Sequence, residues 1–165
     1  MMAISLMQIF EWMESTPVAQ AIRHSAKLIA LLESIHLIGL TLLLGSILMV
    51  DLSLLGFGIG RSPASRIARE LSGWTAAGLA IMLSSGPLIL SSEAIRCYRT
   101  PAFWTKMALL AIALIFHFTI HAKVVSEEPP AQQGLSARWT ACLSLGLWTS
   151  VALAGKAIAI FQPPE

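Results

Sequence analysis

The chain is short of charge. Asp, Glu, Lys and Arg make up 12% of its 165 residues, where a soluble domain carries roughly 25%. Hydrophobic residues make up 56%. A soluble fold of this size leaves much of its surface wet and has no room to hide so much apolar area. A soluble enzyme, a disordered chain and a nucleic-acid-binding domain are therefore excluded. The net charge of +2 is too small to call for a polyanion partner. Cysteine is scarce too. Cys97 and Cys142 show neither CxxC nor metal-ligand spacing and read as small apolar residues in helices. The N-terminus, MMAISLMQIFEWMEST, lacks the basic start of a secretory signal, so the first spanning helix is expected to direct insertion. There is no nucleophile–base triad, phosphate loop or paired-carboxylate site.

What the chain has is long apolar runs. Four of them, about 28–50, 71–90, 103–125 and 139–161, reach the roughly 20 residues that cross a bilayer. Backbone groups in lipid must be bonded internally, so these runs are helices. The expected fold is all-α: a four-transmembrane-helix up-down bundle over 28–161, with short connections and a tail at 162–165. Gly56 to Pro63 breaks the chain after the first span, and Glu127 to Gly134 forms a solvated loop. Thr100 is placed to cap the third span, with Pro101 at its first position. Gly86-Pro87 lies inside the second span, where a kink is expected.

Residues 1–27 form a separate segment. Gln8, Glu11 and Ser15 make a polar stripe against Leu6, Met7, Ile9, Phe10 and Met13. This is an amphipathic helix suited, with Trp12, to the membrane surface. A second short helix starts at Thr16-Pro17. A bend is expected near Ser25, because one straight helix over 17–50 would measure about 50 Å. The bases divide six to five between the two sides, so the positive-inside rule does not choose an orientation.

Ionisable groups inside spans are costly and mark candidate sites. Glu33, His36, Lys106, His117, His121 and Lys156 are such groups, with Asp51 at a helix end. His36 suits axial ligation of b-type haem. Glu33 and Gly39 share its face; Gly39 makes room for a flat ligand or for a close helix, and Glu33 is a hydrogen-bond partner for the ring. His117 is a second candidate ligand, although it lies about 9 Å deeper along the bundle. Met82 matches His36 in depth. His117 and His121, spaced i, i+4, bind a metal ion only if another helix supplies a third ligand. Arg96, Arg99, Lys106 and Lys156 suit propionates, lipid phosphates or plain snorkelling.

The run Glu33-Ser-Ile-His36-Leu-Ile-Gly39-Leu, then Gly45 and Asp51-Leu-Ser-Leu-Leu-Gly56, resembles an uncharacterised family of bacterial four-helix membrane proteins. The resemblance extends to Phe10-Glu-Trp12, Thr16-Pro17, Trp74 with Gly78 and Gly86, Thr100-Pro101-Ala102-Phe103 with Lys106, and Trp148 with Gly155-Lys156. It implies a multi-pass protein of the bacterial inner membrane. More distantly the chain looks like the copper-resistance D proteins and the haem-dependent protoporphyrinogen oxidase. That likeness points to His36 and Lys106.

The sequence is thus read as a redox module holding haem b through His36, with His117 or Met82 opposite and Gly39, Glu33 and Lys106 around it. It would exchange electrons with a quinone or a protein partner. The alternatives are a non-catalytic anchor of a larger membrane complex, docking through its small-residue faces, and copper or metal handling through His36, His117 and His121.

Overall fold

The computed structural model describes residues 5–57, 63–127 and 135–160. Most of the Gly56–Pro63 breaker, nearly all of the 127–134 loop and the 162–165 tail lie outside the described residues. Within them the chain is helical, with no strand. In order come α1 (Leu6–Ser15), α2 (Pro17–Arg23), α3 (Ala26–Leu54), α4 (Ala64–Ser92), α5 (Ala94–Arg99) and α6 (Pro101–Phe116). A π turn (His117–His121), α7 (Ala122–Glu127) and α8 (Leu135–Ile160) follow. Four stretches are long and apolar enough to cross a membrane: α3, α4, the run Pro101–Ser126 and Leu135–Ile158. The protein is a multi-pass membrane protein by this measure.

The helices start and stop for local reasons. Ser5 and Gln8 form a capping box on α1. Thr16 caps α2 by accepting from the Ala19 amide, with Pro17 at the first position. The chain breaks at His24–Ser25, and Ser25 caps α3. α3 then runs past its apolar stretch to Leu54. It ends in a Schellman motif: Gly56, at φ 94°, sends its N–H to the Ser53 carbonyl, and Phe57 sends its own to Leu52. Asp51 therefore sits inside the helix and not at its end. Thr100 departs from expectation. Pro101 opens α6, but the Thr100 hydroxyl turns back to the Arg96 carbonyl and caps nothing. Pro87 lies inside α4, which continues to Ser92.

α3 is the centre of the bundle. Its most apolar stretch is 44% buried, against 11–22% for the other three. Three apolar layers stack along the molecule. Phe10, Ala94 and Phe103 form one end. Leu43, Ile47, Ala113, Trp148 and Val151 form the middle. Val50, Leu54, Ala64, Val125, Ala137 and Ala141 form the other end.

The N-terminal helix docks on the bundle. Phe10 is buried, with its ring 5.1 Å from Tyr98 and 6.0 Å from Phe103. Glu14, outside the polar stripe read from the sequence, accepts from the Ile95 amide at 2.8 Å and pairs with Arg23. One carboxylate thus ties α1, α2 and α5 together. Cys97 lies beneath, half-buried. Burial, reinforced by the Glu93 charge, pushes its thiol up to about 11.

Candidate functional site

Two polar clusters lie within the spans. The first sits on the seam between α3 and α4. The seam is tight because two glycines meet there. A Cβ on Gly39 would fall 2.6 Å from Ile81 Cγ2, and one on Gly78 would fall 2.6 Å from the Leu43 backbone nitrogen. Of the two uses expected of Gly39, the structure shows the close helix. Beyond the glycines, His36 Nδ1 lies 2.8 Å from Ser85 Oγ. The Ser85 hydroxyl already donates to the Ile81 carbonyl at 2.6 Å. With the single hydroxyl proton on the Ile81 carbonyl, the arrangement is compatible with His36 Nδ1–H as the donor to Ser85. The lone pair then resides on Nε2. Glu33 is not the partner: it is exposed on α3, and Ser85 of the neighbouring helix has taken that place. Lys106 lies against Gly155 of α8 and within electrostatic reach of His36.

The second cluster lies toward the other end of α3 and is more fully buried. His121 Nε2 donates to Asp51 Oδ1 at 2.7 Å, and both residues are buried, at 3% and 0% exposure. The His117 ring stacks on His121, with centroids 5.0 Å apart and planes at 24°. Its other flank meets the Trp148 ring at 6.2 Å, nearly edge-on.

The π turn makes this possible. The inward positions here are Ala113, His117, His121 and Val125, every fourth residue. On a 3.6-residue helix such a stripe drifts by roughly 40° per step, or about 120° over the three steps. The wider turn at His117–His121 takes up that drift. Both histidines and Val125 can then face the same neighbours.

A cavity of ≈740 Å³ opens beside this cluster. α4 supplies one wall, with Ser72, Thr75, Ala76, Leu79, Ala80 and Leu83. The π turn and α7 supply the other, with His117, Phe118, His121 and Val125. Ser46, Ile47 and Val50 of α3 form the floor. The groove is mostly apolar, but Ser46, Ser65, Arg69 and Ser126 line it as well as Ser72, Thr75 and the two histidines.

Residues 9–161 match DUF6644, a family of unknown function. The chain belongs to that family. No curated protein and no solved structure matches it, so neither copper-resistance D proteins nor the protoporphyrinogen oxidase is among its matches.

This DUF6644 member divides the expected site residues between its two clusters. His36 and Lys106 belong to the α3–α4 seam and its α8 neighbour. His117 and His121 belong to the groove. Met82 packs on the middle apolar layer and, like His36, does not line the groove. Among the described residues no three His, Cys, Asp or Glu side chains are arranged to hold a metal ion. Of the small residues of α4, Ala76 and Ala80 line the groove. Asp51 reads from the sequence as a helix-end residue, and Ser85 carries no signal there.

Proposed function

We propose that this protein is a membrane redox module, an up-and-down four-helix bundle that takes a lipid-soluble quinone head group into the groove and exchanges protons with it through His117, His121 and Asp51, while the two electrons pass to or from a redox protein partner. The observation that carries this reading is a buried His–Asp hydrogen bond placed beside an apolar groove between helices. A quinone head group is flat and apolar, with oxygens at its edge. The groove offers Ile47, Leu79 and Leu83 to the flat faces and histidine rings to the edge. Its volume suits a small ligand, for which pockets of roughly 300–1,000 Å³ are usual. A quinol hydroxyl needs a base when it loses a proton. A histidine backed by a buried carboxylate suits that role, because the carboxylate orients the ring and stabilises its charged form. The test is saturable binding of a short-chain quinone, measured by quenching of Trp148 fluorescence with the other four tryptophans replaced by phenylalanine. Binding is expected to weaken at least tenfold in His117→Ala and when the groove is filled by Ala76→Phe.

A second reading, haem b on His36, is supported by the ring's tautomer. An axial histidine needs one nitrogen free and the other N–H held by a partner. Ser85 holds Nδ1–H and leaves Nε2. Lys106 is placed to meet a propionate. The close α3–α4 seam leaves no space for a porphyrin at Gly39, so the ring would lie outside that seam. This reading predicts a Soret absorption band that disappears in His36→Ala and survives in His117→Ala. A folded, colourless protein from haem-replete cells would rule it out.

A further inference from the structure

The groove changes character along its length. On α4 its lining begins with Ser65, Arg69 and Ser72 and finishes with Leu79 and Leu83. The opposite wall changes in the same sense, from Ser126 of α7 to Phe118 of the π turn. Ala64, at the start of α4, packs with Leu54 at the end of α3, while Leu79 packs on the middle layer. The polar half of the groove thus stands at one end of the bundle, and the apolar half reaches its middle.

The charge is as uneven as the polarity. Among the described residues that line the groove, Arg69 is the one arginine or lysine, and none is Asp or Glu. Arg66, three residues earlier, does not line it and pairs with Glu70 at 2.9 Å. The outer half of the groove is therefore positive, and one residue makes it so.

The dimensions fit a bilayer. Arg69 stands two residues before the apolar run that starts at Leu71, which puts it at head-group level. From Ser72 to Leu83 a helix rises about 16 Å. One leaflet of the hydrocarbon core is about 15 Å deep. Leu83 and Phe118 are exposed, so the inner half opens sideways to acyl chains.

The combination is selective. A guanidinium matches the oxygens of a phosphate. A free phosphate would use Arg69 and leave the apolar half uncovered. A zwitterionic lipid would bring a second cation that Arg69 repels. An anionic phospholipid uses both halves.

We propose that the groove is a site for an anionic phospholipid, with the phosphate on Arg69 and one acyl chain along Leu79 and Leu83. The chain and a quinone head group would share the space beside Ala76, so the lipid competes with the quinone. That competition rests on the quinone reading, whereas the lipid site does not.

The experiment is native mass spectrometry of the full chain released from detergent micelles. It is titrated with phosphatidylglycerol and, separately, with phosphatidylcholine of the same acyl chains. Wild type is expected to bind one phosphatidylglycerol at least fivefold more tightly than phosphatidylcholine. Arg69→Gln removes that preference, and Arg66→Gln, which is also exposed, keeps it. Ala76→Phe weakens phosphatidylglycerol binding at least tenfold, and Ala77→Phe leaves it within about twofold. Equal affinity of wild type for the two lipids would overturn the proposal. So would equal losses in Arg66→Gln and Arg69→Gln, which would make the attraction one of diffuse surface charge. Undiminished binding in Ala76→Phe would do the same, since the acyl chain would then lie elsewhere. If this pattern holds while quinone fails to bind, the quinone reading falls alone; saturable quinone binding without the lipid preference overturns the lipid site alone.

Discussion

Gly78→Ala is expected to cost about 3 kcal/mol of stability, at the upper end of what overpacking usually costs. The new methyl carbon would sit 2.6 Å from the Leu43 nitrogen, 2.8 Å from the Gly39 oxygen and 3.1 Å from the Leu43 Cα. All three are backbone atoms, so no side chain can yield. One helix must move away from the other. The pairing contacts descend α4 as they climb α3: His36 with Ser85, Gly39 with Ile81, Leu43 with Gly78. A shift at Gly78 therefore opens the seam along its length and loosens His36 from Ser85. Gly45→Ala, Gly73→Ala and Gly146→Ala are the controls, because a Cβ there meets nothing within 4 Å. In those helices alanine should be neutral or stabilise by up to about 1 kcal/mol. Reversible unfolding in mixed detergent micelles separates the two groups. Equal effects at Gly78 and Gly146 would show that α3 and α4 do not pack as described.

The second large effect is at Asp51. Asp51→Leu removes the acceptor of the His121 N–H at a fully buried position, and breaking such a pair costs about 3–5 kcal/mol. Asp51→Asn keeps an acceptor oxygen in place and should lose clearly less. Replacing both members with apolar groups removes the unpaired donor, so Asp51→Leu with His121→Phe should recover most of the loss. The same unfolding measurement reads these three variants and His121→Phe alone. If the losses of the two single variants simply added in the double, the residues would not be coupled, and the Asp51–His121 bond would be wrong.

Composition and apolar runs made the four long helices and the amphipathic start legible. The helix ends were less so, since caps and the Schellman glycine carry α3 to Leu54, beyond the apolar stretch. That difference hid Asp51, which looks like a terminal residue when the helix is stopped at Val50. The histidines were legible as intramembrane polar groups, but their partners were not. Those partners come from distant elements: Ser85 is 49 residues from His36, and Asp51 is 70 from His121. Periodicity along one helix carries no information about such pairings. Nor does it announce a π turn, which shows only as inward residues spaced by four. Gly39 illustrates the same limit. A glycine beside a histidine suits a ligand or a neighbouring helix equally well, and only the position of Gly78 decides between them.

The most direct test is a quinone titration of three proteins in detergent, each with Trp148 as its only tryptophan: otherwise wild type, Ala76→Phe and Ala77→Phe. Ala76 lines the groove, and its neighbour Ala77 does not. Wild type and Ala77→Phe should show the same saturable quenching of Trp148, within about twofold, while Ala76→Phe should bind at least tenfold more weakly, about 1.4 kcal/mol. Quenching that rises linearly without saturation, or that is identical in all three, would contradict the assignment of the groove.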